Sequence, residues 1–161
     1  MAAIEYRPAD PSDVPAMARI RAAEWETEEY WRARIARYMD CELQPQQALL
    51  PRALYVALEG EGGAVVGLIA GHLTRRYQCD GELEWINVAP QYRGSEVAPA
   101  LLRLLAAWFA GQKARRICVD VDPSNEAARR FYTRHGAGPL NPHWLVWHDI
   151  NVVLNGQSPK A

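Results

Sequence analysis

The stretch Glu82-Leu83-Glu84-Trp85-Ile86-Asn87-Val88-Ala89-Pro90-Gln91-Tyr92-Arg93-Gly94-Ser95 decides how this chain is read. Its first half is a strand rich in large apolar residues, ending at Ala89-Pro90 because proline cannot donate to a ladder. Its second half is a loop around Gly94, followed by the most regular helical pattern in the chain. Between Gly94 and Gly111, Leu101, Leu104, Leu105 and Trp108 form one stripe, flanked by Leu102 and Phe109. A strand that passes through a glycine loop into a helix leaves unpaired backbone N–H groups at the helix start. Those groups and the helix dipole attract a phosphate or pyrophosphate. The plainer reading of such a loop is an ordinary turn.

Upstream, residues 54–58 and 64–74 read as two strands joined by turn material at 59–63, a hairpin. Residues 4–7 begin strand-like, and Pro8-Ala9-Asp10-Pro11 breaks the pattern. Ser12-Asp13 opens a helix with Val14, Met17, Ala18, Ile20 and Arg21 at helical spacing. A second helix over 26–39 carries Tyr30, Trp31, Ile35 and Tyr38 on one side. Downstream, Gly111 is placed to end the long helix in a left-handed conformation. Ile117, Val119 and Val121 alternate with Cys118 and Asp120 as a strand, and 122–125 is a turn. A short helix follows with Ala128, Phe131, Tyr132 and His135 on one face, closed by Gly136, and 144–153 supplies one or two last strands. The order β-α-α-β-β-β-α-β-α-β(-β) combines hairpins with helical crossovers. It predicts an α/β (α+β) fold with a mixed sheet.

The bulk properties bound the function. A chain of 161 residues suits one domain spanning 1–161. Hydrophobic residues at 49% and charged residues at 23% are the balance of an ordinary globular protein. A formal charge of -1 argues against nucleic-acid binding by phosphate neutralisation. No basic-then-apolar leader opens the chain, and the longest apolar run, 64–70, falls far short of the ~20 residues that cross a bilayer. Cys41, Cys79 and Cys118 are odd in number and widely spaced, which fits reduced thiols in the cytoplasm. His72, His135, His143 and His148 are scattered, with no metal-site spacing, so no metal is expected.

The run from Leu83 to Gly94 resembles the strand and pyrophosphate loop of the GNAT superfamily of N-acetyltransferases, whose Gln/Arg-x-x-Gly-x-Gly/Ala signature is met by Gln91 and Gly94. A second block, Asn125-Glu126-Ala127-Ala128-Arg129-Arg130-Phe131-Tyr132-Thr133-Arg134-His135-Gly136, is similar to the family's following helix. Two motifs in the right order, separated by a helix and a strand, make a far stronger signal than either alone. The resemblance implies an acyl-CoA N-acyltransferase fold, a central, mostly antiparallel mixed sheet flanked by helices. It implies acetyl-CoA as acyl donor and transfer to a primary amine by direct attack in a ternary complex. By the same resemblance, Ile86 and Val88 lie along the thioester and Val88 offers its N–H to the carbonyl. The backbone of Gln91, Arg93, Gly94, Ser95, Glu96, Val97 and Ala98 cradles the pyrophosphate. Asn125 bonds the pantetheine arm, Tyr132 protonates the departing thiolate, and Glu84 removes the amine proton. Read without the resemblance, Tyr132 is a core tyrosine, Glu84 the wet face of a strand and Asn125 a helix cap.

Two residues depart from the family pattern. Glu96 stands where Gly or Ala is usual and must point to solvent if a pyrophosphate is to sit at the helix start. Pro99 is comfortable only in a first helical turn, which moves the expected helix start to about Ala98. These departures keep open a non-catalytic acyl-CoA-binding or protein-interaction module on the same scaffold. No Lys-Ser/Thr follows Gly94, which disfavours a Walker-type nucleotide site. Glu24, Trp25, Glu26, Glu28, Glu29, Tyr30 and Trp31 are either a reception area for a cationic small amine or amino-acid derivative, or a solvated helix face with core aromatics. The strand Trp144-Leu145-Val146-Trp147 is either a homodimer contact or internal sheet.

Overall fold

The computed structural model describes residues 3–42, 45 and 47–155. The elements follow in the order β1 (Ile4–Pro8), α1 (Val14–Ala22), α2 (Glu28–Met39), β2 (Ala48–Glu59), β3 (Val65–Thr74), β4 (Gly81–Val88), α3 (Val97–Gly111), β5 (Ile117–Asp120), α4 (Glu126–Arg134), β6 (Gly138–Asn141), β7 (Trp144–Trp147) and α5 (Asn151–Leu154). The strands form one seven-stranded sheet in the order β1-β2-β3-β4-β5-β7-β6. Every neighbouring pair is antiparallel except β4 and β5, which are joined by the α3 crossover and run parallel.

Helices cover both faces. On one, Met17 of α1 and Trp31, Ile35 and Tyr38 of α2 pack on Val56, Leu68, Ala70 and Trp85. On the other, the α3 stripe of Leu101, Leu105 and Phe109 packs on Ile69, Leu83, Ile117 and Trp147. The period-2 alternation of β2 divides Val56 and Leu58 from Ala57 between these two layers. Packing in the core is close at Gly81, where an added Cβ would run into the Phe109 ring and lie 2.9 Å from Ile117 Cδ1. Gly81→Ala is expected to cost about 1–3 kcal/mol as an overpacked core. Chemical denaturation with an unchanged midpoint would show that the ring shifts freely.

Several sequence expectations change. The second strand runs from Ala48 rather than 54, passing through Pro51 toward the open end of the sheet. Gly111 is the last helical residue, and the left-handed position is Lys113, with φ 61°. Residues 151–154 form a helical turn, not a strand, and 138–141 add a strand with no strong pattern of its own. The Trp144–Trp147 strand is internal: β5 and β6 flank it and all four residues are buried. Among the described residues no helix is long and apolar enough to cross a membrane, and Cys41, Cys79 and Cys118 are in no disulfide.

Candidate active site

The site begins with a bulge. Along the β3–β4 ladder Ala70 faces Trp85 and Gly71 faces Leu83, which leaves Glu84 as the extra residue. A bulge bends its strand and re-aims a side chain. The parallel pairing of β4 with β5 covers only Gly81 to Leu83 and stops at this point. Beyond it the strands diverge, and a cleft of about 950 Å³ opens between them, reaching the loop at Gly94, the face of α4 and the turn between α1 and α2. Ala89 donates its N–H to Val66 O at 2.8 Å, toward β3. Peptides alternate in direction along a strand, so the N–H groups of Val88 and Ile86 point the other way, to the unpaired edge that lines the cleft.

At one end of the cleft lies the loop before α3. Tyr92 is buried beneath it, and Gly94 takes φ +75°, with nothing within 4 Å of where a Cβ would stand. Glycine enters that conformation without the strain a side chain would bring. The amide of Ser95 is bonded to Tyr92 O, and that of Val97 to Ser95 Oγ at 3.2 Å. Among the described residues the amides of Gly94, Glu96 and Ala98 have no partner. The expected cradle of consecutive amides is therefore thinned, since Ser95 and Val97 spend theirs within the loop. The side chains of Gln91, Ser95, Glu96 and Val97 lie outside the cleft, and Val97 is in the core. Those of Ile86, Val88, Arg93 and Ala98 line it, together with Gly94 and Asn125. The helix starts at Val97, one residue earlier than expected, and Pro99 sits in its first turn, where no N–H is required.

Glu96 turns away. Its side chain is 88% exposed and lies 3.9 Å from Arg103. Three unbonded amides at a helix start, open space over Gly94 and no inward carboxylate make a donor set that fits a pyrophosphate. Arg93 lies nearby, 3.8 Å from Glu24. Glu96→Gln is expected to change the affinity for acetyl-CoA by less than about twofold, because an exposed charge is well screened by solvent. Calorimetry on the two proteins measures this directly, and a large gain would mean that the carboxylate reaches the anion site.

At the other end stand the titratable groups. Glu84 is largely buried, which raises its carboxyl above the ordinary range, while His72, Arg34 and Arg21 oppose the shift and Glu82 adds to it. Arg34 Nη2 lies 3.6 Å and His72 Nδ1 4.0 Å from its oxygens. Behind it, His72 is completely buried, 3.0 Å from Tyr38 Oη and 3.6 Å from Glu82. Glu82 in turn accepts from Arg76 at 3.2 Å. His72, Glu82 and Glu84 approach within 4.8 Å of one another. With an arginine beside each carboxylate, this is a charge network that already has its cations.

Tyr132 sits on the buried face of α4, edge-on to Trp147 at 5.7 Å. Its hydroxyl bonds no described residue and is not sealed from the cleft. Burial pushes the phenol well up, with Arg21 pulling it down. Asn125 caps α4, its side-chain oxygen accepting from the Ala128 amide at 3.1 Å, which leaves its side-chain N–H groups free to act in the cleft. Of the proposed reception residues, Glu24, Trp25, Tyr30 and Trp31 line the cleft, whereas Glu26, Glu28 and Glu29 do not. Sequence reading assigned no site role to Arg21, Arg34, His72 or Asp120. Arg21 carried one signal, a charged residue in phase with the buried stripe of Val14, Met17 and Ala18. A second concavity, of about 560 Å³ at the end of β1 and β2, holds none of these groups.

The comparisons with known proteins agree with this architecture. The family model described as acetyltransferase (GNAT) family matches residues 17–137. Uncharacterized N-acetyltransferases of Mycobacterium tuberculosis and Mycobacterium bovis are 29% identical over 136 residues, covering 84% of this chain and 80% of theirs. A GNAT-family acetyltransferase structure from Desulfovibrio desulfuricans superposes with a TM-score of 0.72 at 16% identity, over 92% of this chain and 99% of that one. The PaiA N-acetyltransferase of Thermoplasma acidophilum, solved with coenzyme A, gives 0.65 at 17% identity over 89% and 97%. At such identities the structural matches speak for the fold, while the family model covers most of the chain, including both sequence motifs. The chain belongs to the acetyltransferase (GNAT) family.

Proposed function

We propose that this protein transfers an acetyl group from acetyl-CoA to a primary amine within a ternary complex. One observation carries the reading: the unpaired edge of β4, the carboxylate of Glu84 and the hydroxyl of Tyr132 face one cleft that ends at the amide-rich loop of Gly94. Bound acetyl-CoA supplies an acyl thioester, a carbonyl carbon already activated toward nitrogen. The N–H of Val88 donates to the carbonyl oxygen as negative charge grows there. Glu84, directly or through one water, accepts the proton that the attacking amine must lose. As the carbon–sulfur bond breaks, Tyr132 gives its proton to the sulfur, and its high pKa keeps it in the acid form beforehand. The amides of Gly94, Glu96 and Ala98 hold the pyrophosphate, and Asn125 the pantetheine arm.

Calorimetry with acetyl-CoA, followed by an amine-dependent free-thiol assay, tests the proposal. Binding with no turnover over a broad amine panel would replace it with a non-catalytic acyl-CoA module.

A further inference from the structure

Arg21 stands apart from the other arginines of the cleft. Arg34 lies beside Glu84 and Arg93 beside Glu24, and Arg134, with no carboxylate partner among the described residues, is exposed; the Arg21 guanidinium likewise has no carboxylate within salt-bridge distance among the described residues. It is nonetheless withdrawn from solvent. Its guanidinium carbon stacks 4.2 Å from the centre of the Trp31 ring and 5.6 Å from that of Trp85. Nη1 donates to Asn87 Oδ1 at 2.6 Å, and Nε is buried with no partner. Nη2 has no bonded partner and is not sealed off, so it reaches the cleft that Arg21 lines. Leaving a guanidinium so buried without a counter-ion is costly. The two tryptophans and Asn87 hold it ready in one orientation, which is what recognition of a planar anion requires.

Its place decides what that anion belongs to. Of the titratable groups nearest in effect, Glu84, Arg34 and the hydroxyl of Tyr132 lie at the reacting end of the cleft, and Glu24 alone reaches toward the loop of Gly94, through Arg93. Arg34, only 28% exposed along its side chain, adds a second cation beside Glu84. We infer that Arg21, supported by Arg34, binds a carboxylate carried by the acceptor itself, so that the acceptor is an amino acid whose amine is presented to Glu84. This rests on the acetyl-transfer reading and narrows its acceptor class. Amines without an acidic group, such as polyamines and aminoglycosides, would leave Arg21 unpaired.

The experiment separates recognition from turnover. Binding of N-acetyl amino acids and of their neutral N-acetyl amides is measured by calorimetry and by the fluorescence of the tryptophans beside Arg21. The free amino acids, their amides and O-phosphoethanolamine are compared as acceptors in parallel. The wild type is expected to favour the acid over the amide by about tenfold to a hundredfold in both measurements, the worth of a charge-assisted contact. Arg21→Gln removes that preference and Arg21→Lys retains part of it. Equal binding of acid and amide by the wild type overturns the assignment, as does binding of neither. So does a variant that loses both alike, or a preference for the phosphorylated amine. Loss of acetyl-CoA binding, measured separately on the same samples, would count against the acetyl-transfer reading instead. Should Arg21→Gln fail to fold, the acid–amide comparison on the wild type still decides.

Discussion

Tyr132→Phe is expected to lower kcat by about a hundredfold to a thousandfold, the usual share of a positioned general acid, while acetyl-CoA still binds. The physical case is that the hydroxyl and the ring have separate tasks. The ring packs against Trp147 and Phe131 inside the α3 layer, and phenylalanine preserves those contacts. The hydroxyl bonds no described residue, so its removal orphans no partner, and the melting midpoint should scarcely move. Burial holds the phenol protonated, which suits a group that must donate to a sulfur anion forming beside it. Steady-state kinetics with calorimetry on the same preparation check the expectation. A kcat within a few-fold of wild type would return Tyr132 to the role of a core residue.

The second large effect belongs to Glu84. Glu84→Gln keeps the size of the side chain and removes its basicity, and should lower kcat/KM by about a hundredfold or more at neutral pH. The pH profile gives the sharper test. A general base works only when ionised, so activity declines as pH falls through its pKa. Burial raises the Glu84 pKa, so this acid limb should lie above the range of a free carboxylate. In the glutamine variant that limb disappears, leaving only the one set by ionisation of the amine. Using two amines of different basicity distinguishes the limbs, since the Glu84 limb keeps its place when the amine is changed. A profile identical in wild type and variant would assign Glu84 to the charge network alone, with Arg34 and His72 as its partners.

Other features of the site were partly legible. The stripe of Leu101, Leu105 and Phe109 announced the layer that α3 makes with the sheet. Asn125 was readable as a cap, and its oxygen does accept the Ala128 amide. Gly94 stood out in the loop, and its positive φ and open surroundings supply the reason. Glu96 raised the opposite expectation to its outcome only if it faced the loop. Its contact with Arg103, two turns along the same side of the helix, shows where the chain sends it. Gly111 misled because the helix carries on through it and turns left-handed two residues later, at Lys113. The strand with two tryptophans in four residues is internal sheet, because β6 occupies its far side and leaves it no free edge.

Short-range units were legible in the linear chain: the β4–loop–α3 passage, the capped α4 and the family they jointly mark. Periodicity, turn chemistry and helix capping act over a few neighbouring residues, so a linear reading can hear them. The opening of β4 away from β5, the bulge that aims Glu84, the inward phenol and the Arg21 guanidinium without a counter-ion emerge from the folded arrangement alone. Each depends on partners remote along the chain, as in the bond from Arg21 to Asn87, 66 positions away. Such contacts come from the packing of layers on a sheet, and the burial they impose is what moves the acidities of Glu84 and Tyr132.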